Sequence, residues 1–152
     1  MLNKLKEKIE AEIQKLDRLF QESEPLLILC KQKEPDFIEI SAVALCLHSF
    51  YNGIENILSL IAKNVDKDKI QDGHWHKTLF NNAFLDTANR KRIFRAELQE
   101  PLGKYLTFRH FIRHSYDYEI EWNLLKPLID GIETAWEQAK EDLFIFIQKT
   151  CK

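Results

Sequence analysis

The sequence predicts an all-α fold, an up-and-down bundle of about four to six helices without a β-sheet. Three observations carry this expectation. Apolar residues recur at helical spacing over long stretches, the first being Leu2, Leu5, Ile9, Ile13, Leu16, Leu19 and Phe20. Only four glycines and four prolines punctuate 152 residues. No run alternates polar and apolar residues between turn signals, as a half-buried strand would.

The opening amphipathic helix is expected to continue through LLILCK, kinked at Pro25 and stopped by Pro35. Asp36 can cap a second helix, FIEISAVALCLHSFYNGIENILSLIAK, which is apolar on most sides and is expected to be the most buried element. Gly53 in its middle costs about 1 kcal/mol against alanine, so a close helix contact there would explain it. The polar run NVDKDKIQDG reads as a loop, followed by a short helix in HWHKTLFNNAF. NRKRIFRAELQ has the composition of another helix. Pro101 suits the first turn of the helix that carries RHFIRHSY, and a last helix is expected from about residue 123 to 149, with Pro127 tolerated near its start.

A chain of this length is expected to form a single domain, residues 1–152, with a core that needs no staple. Cys30, Cys46 and Cys151 are an odd number at wide spacing with no CxxC, which indicates neither a disulfide framework nor a zinc site. The N-terminus lacks the uninterrupted apolar core of a signal peptide, and no apolar run approaches the roughly 20 residues of a membrane span. The expectation is a cytoplasmic protein without a membrane partner. Its net charge of -2 is divided along the chain. From Thr87 to Tyr116, seven Lys/Arg face two Glu, whereas from Asp117 onward eight Asp/Glu face four Lys. A local positive field can gather a polyanion even on a slightly acidic protein.

The basic segment ends in RHFIRHSY, residues 109–116. On a helical projection Phe108, Phe111 and Ile112 form the core side, while the ionisable groups fall on one arc. That arc has an arginine edge, Arg109 and Arg113 with Tyr116, and a histidine edge, His110 and His114 with Asp117 beside it. Three readings compete. An arc opposite an apolar stripe is what any solvated amphipathic helix shows, although this one has no lysine and a single acid. His110, His114 and Asp117 could reach one metal ion, but the arginines would repel it, and no metal is expected. The third reading is a phosphodiester site. Arginine offers a permanently charged fork for phosphate oxygens, and histidine moves protons near neutral pH. Together they suffice for RNA cleavage by the ribose 2′-hydroxyl without a metal. Arg109 and His114 lie about 140° apart on one helix, too far round to grip one phosphate well, whereas two arcs facing across a symmetric dimer would line a shared cleft.

The same stretch spells R-x4-H-x-Y: Arg109, HFIR, His114, Ser115, Tyr116. It resembles the signature of HepT-like toxins, members of the HEPN superfamily of small helical ribonucleases. EPDFIEISAVALCLHSFYNGIENIL, GHWHKTL and FRHFIRHSYDYEIEWNLLKPL resemble blocks of that family in the same order, over most of the chain. The resemblance implies a homodimer whose motifs meet at the interface and cut RNA, tRNA or mRNA, without a cofactor. It implies a toxin paired with an MNT-type nucleotidyltransferase antitoxin, which uses ATP to attach AMP to the motif tyrosine. Arg109 and His114 would then be catalytic and Tyr116 the modified residue. Glu55 matches a position where a polar group often faces the motif, while Arg113 and His110 are possible RNA-binding or supporting residues. The alternative is a HEPN-fold nucleotide- or protein-binding module without cleavage. Outside the motif, His48 reads as a satisfied core histidine, His74 and His76 as packing or capping groups, and Arg90, Lys91, Arg92 and Arg95 as a solvated run or an RNA-guiding patch.

Overall fold

The computed structural model describes residues 2–68, 75–113 and 120–151. These form five α-helices: α1 (Leu2–Gln32), α2 (Phe37–Ile61), α3 (Trp75–Asn82), α4 (Gln99–Arg113) and α5 (Trp122–Thr150). Among the described residues there is no β-strand beyond an isolated bridge between Thr87 and Arg90. The all-α expectation therefore holds, and its long helices start and stop where local chemistry dictates.

Pro25 lies inside α1 without ending it, and the chain breaks before Pro35. Asp36 caps α2 with a capping box: its carboxylate accepts from the Glu39 N–H at 2.8 Å, and the Glu39 carboxylate accepts from the Asp36 N–H at 2.9 Å. A π turn, Ala62–Asp66, closes α2 onto Lys67, whose φ of 58° lies in the left-handed region. By length and composition Phe37–Asp66 reaches what a bilayer span needs, which the uninterrupted runs of the sequence did not suggest. Core helices share that composition, and α1, α3, α4 and α5 all pack against α2.

Phe50 of α2 centres the core, with edge-on contacts to Phe20 of α1, Tyr105 of α4 and Trp136 of α5. Gly53 meets α1 closely: a Cβ there would lie 2.5 Å from Leu16 Cδ2. Polar clasps bind the long helices at their rims. Asp17 of α1 accepts from Trp136 Nε1 at 2.8 Å and Lys140 Nζ at 3.0 Å, both on α5. The buried Tyr105 hydroxyl donates to the Leu128 carbonyl, tying α4 to α5.

The segment expected to form a helix at NRKRIFRAELQ does not do so. Only a 3₁₀ turn at Ala96–Leu98 is helical there, leading into α4. The competing interactions are tertiary. Ile93 and Phe94 donate their N–H groups to the Ala83 carbonyl, and both side chains enter the core. Arg90 is buried, gripping Asp66 through Nε and Nη2 at 2.9 Å each and donating to the carbonyls of Leu85, Asn82 and Lys91. Arg95 forms a fork on the Asp142 carboxylate of α5.

Candidate functional site

Helix α2 is mostly apolar, and one polar stripe of it faces inward. His48, Asn52 and Glu55 stand four and three residues apart, so they share a face, and that face is turned toward α4. Arg109, near the end of α4, reaches across to it. Its Nε donates to Asn52 Oδ1 at 3.0 Å, and its Nη2 lies 3.7 Å from Glu55 Oε1. The other end of the Asn52 amide, Nδ2, lies 3.1 Å from His48 Nε2. On the far side of Glu55, the Nδ1 of His76 in α3 approaches the same Oε1 at 2.8 Å. Five polar residues from three helices are thus linked in one half-buried network.

The network is most enclosed where Arg109 meets Glu55. The Arg109 side chain is 13% exposed and that of Glu55 7%. Glu55 Oε2, His48 Nδ1 and the Tyr51 hydroxyl are buried without a hydrogen-bond partner among the described residues, and all three lie on successive turns of α2. Buried groups left without a partner cost stability. Burial, then the charges of Arg109 and Arg113, push the His48 pKa down. Burial, then the Glu55 charge, raise the Tyr51 phenol well above its ordinary value, so this tyrosine stays protonated.

The sequence-expected residues divide. Arg109 lies inward, held by Asn52 and Glu55, whereas Arg113 and His110 are exposed on the same helix. The helical projection placed Arg109 on a polar arc, and that arc is not uniformly solvent-facing: its arginine edge begins at α2. Glu55 is buried beside Arg109 and not an ordinary exposed glutamate. His114, Tyr116 and Asp117 lie outside the described residues, as does His74. Among the described residues no group of His, Cys, Asp and Glu is arranged to hold a metal.

Three members of the network were not singled out from sequence as site residues. Asn52 carries no site signal of its own in the sequence, His48 reads there as a satisfied core histidine although its Nδ1 has no hydrogen-bond partner among the described residues, and His76 reads as packing or capping although it engages Glu55. The available signal was the polar stripe at 48, 52 and 55 on an apolar helix. Nothing local marks His76, whose partner is 21 residues away.

The basic segment is also less of a free positive field than its count suggests. Arg90, Arg95 and Arg109 are each matched to an acid from another element: Asp66, Asp142 and Glu55. This corrects the reading of Arg90 and Arg95 as part of a solvated or RNA-guiding run, while Lys91 keeps an exposed pairing with Asp86. A surface groove lies beside that loop, lined by Lys91, Arg92, Arg95 and Lys149 together with Asp86 and Asp142, away from the network. A smaller groove between α2 and α4 adjoins it, with Leu45, His48, Ile112 and Arg113 on its walls.

No curated protein and no solved structure gives a significant match to the chain. The family model for HepT-like proteins matches residues 42–150, a span that contains most of α2, Arg109 and the whole of R-x4-H-x-Y. The chain belongs to the HepT-like family of the HEPN superfamily.

Proposed function

We propose that the protein is a metal-independent RNA endonuclease, the toxin of a HEPN/MNT toxin–antitoxin pair, with its active site at a homodimer interface. The observation that carries this reading is the setting of Arg109 at the head of R-x4-H-x-Y. Its Nε is committed to Asn52, and its terminal nitrogens make no hydrogen bond among the described residues. A guanidinium held through Nε, with its terminal nitrogens still to be hydrogen-bonded, suits a phosphate. In this reading Arg109 stabilises the charge that develops as the 2′-oxygen attacks phosphorus. His114 moves the proton, and Arg113 and His110 flank the substrate.

A second copy of the chain supplies the facing motif. The exposed Ile38 and Leu45 support this, since they lie on α2 seven residues apart, on the side that carries His48. A cognate nucleotidyltransferase with ATP would then silence the enzyme by attaching AMP to Tyr116, placing bulk and negative charge among the arginines.

Expression in cells with inspection of growth and RNA integrity tests the reading. Toxicity and RNA cleavage in EDTA are expected from the parent, and both should vanish in His114→Ala and Arg109→Ala. A parent that cuts no RNA, or a His114→Ala variant as toxic as the parent, refutes it. With the partner enzyme and ATP, the mass should rise by AMP units on Tyr116. A label on Tyr118 or Tyr51 refutes the tyrosine assignment.

A further inference from the structure

The contact between Arg109 and Glu55 is anomalously long for two groups buried together. A guanidinium and a carboxylate left to themselves close into a fork with N···O separations of about 2.7–2.9 Å. Arg95 and Asp142 do so in this chain, with a shortest contact of 2.9 Å. Between Arg109 Nη2 and Glu55 Oε1 the separation is 3.7 Å. The oxygen concerned is already engaged by His76 Nδ1 at 2.8 Å. With Glu55 as the carboxylate, that oxygen only accepts, so the hydrogen sits on His76 Nδ1. The imidazole is itself held: its ring lies 3.6 Å, centre to centre, from that of Trp75 in the first turn of α3.

We infer that His76 is a positioning residue that holds the Glu55 carboxylate back from Arg109, keeping the terminal nitrogens of the guanidinium available for an RNA phosphate. What Arg109 binds rests on the RNA-cleaving reading; the three-way arrangement rests on geometry alone. Without His76, the donor left to Glu55 among the described residues is Arg109. The carboxylate would close on it and occupy the fork from within. The defect would then come from a capture by Glu55, so removing the Glu55 charge should reverse it. Ordinary structural damage from losing His76 would not be reversed by a second substitution in the same buried site.

The probe is a 2′-O-methyl RNA oligonucleotide, whose capped hydroxyl prevents cleavage, titrated into the full chain by fluorescence anisotropy. His76→Ala should weaken binding by about tenfold, the scale of one hydrogen bond to a charged group. Adding Glu55→Gln to His76→Ala should return affinity toward the parent value. His76→Asn, which keeps a donor but cannot carry charge, should stay near it. Equal binding by parent and His76→Ala, or no recovery in the double variant, overturns the inference. The Arg109 side-chain signal in ¹⁵N-labelled protein, assigned by its loss in Arg109→Lys, gives a readout free of RNA. It should shift in His76→Ala and revert in the double variant, and an unmoved signal overturns the inference. If the parent binds no RNA, the RNA reading falls, while this signal still decides whether His76 restrains Glu55.

Discussion

Replacing Gly53 with alanine puts two opposed effects on one atom. In the middle of a helix alanine is favoured over glycine by about 1 kcal/mol. The added methyl, however, would sit 2.5 Å from Leu16 Cδ2, 2.8 Å from Cγ and 3.0 Å from Cδ1, against the roughly 3.5–4.0 Å at which carbon atoms rest. Because the branch carbon is also too close, turning one methyl does not relieve the overlap. Leu16 is 3% exposed and has nowhere to retreat. Overpacking of this kind costs about 1–3 kcal/mol, so Gly53→Ala should destabilise the parent by about 1 kcal/mol net. Leu16→Ala alone should cost about 2–5 kcal/mol through the cavity it opens. In that background the overlap is gone and the helix preference remains, so adding Gly53→Ala should now stabilise. Urea unfolding of the four proteins, followed by far-ultraviolet circular dichroism, measures the reversal of sign. A parent made more stable by Gly53→Ala, or the same sign in both backgrounds, would refute the close-approach argument.

Arg90→Ala should cost about 3–5 kcal/mol, the penalty for leaving a buried partner charge unpaired, since the side chains of Arg90 and Asp66 are 2% and 4% exposed. Lys91→Ala and Arg92→Ala should stay within about 0.5 kcal/mol of the parent; a similar stability loss in all three would contradict the structural role of Arg90. A pH series addresses His48. Its folded pKa is lowered by burial and then by Arg109 and Arg113, while Glu55 opposes the shift. The unfolded chain therefore takes up the proton first as pH falls through about 6.5, and stability declines from there until the folded pKa is passed. Unfolding free energies at pH 7.5 and 5.5 should show a smaller decline for His48→Gln than for the parent, and equal declines would exclude His48 as a source.

The elements set by local chemistry were legible. The Asp36 cap with Glu39, the stop at Pro35, the early proline of α4 and the 3.6-residue stripe of α1 all act within a turn or two of chain. The stretch 89–99 was not legible because its arginines and glutamate have good helix propensity, while its partners Asp66, Ala83 and Asp142 come from distant parts of the chain. The site was half legible for the same reason. Periodicity places Arg109 on an arc and the polar stripe on one side of α2, yet only packing decides that the two meet. His76 depended on the path taken between α2 and α3, about which composition says nothing.

Helix α2 carries the centre of the core on some of its faces and the polar network on another. A sequence optimised only for thermal endurance would place leucine at positions 52 and 55, removing a buried charge and an amide together. Selection or engineering for robustness alone therefore erodes the polar network first. Hardening this protein with the network intact requires those two positions to be held fixed and the gains sought elsewhere, on the solvent side of α1 and in the outer half of α5.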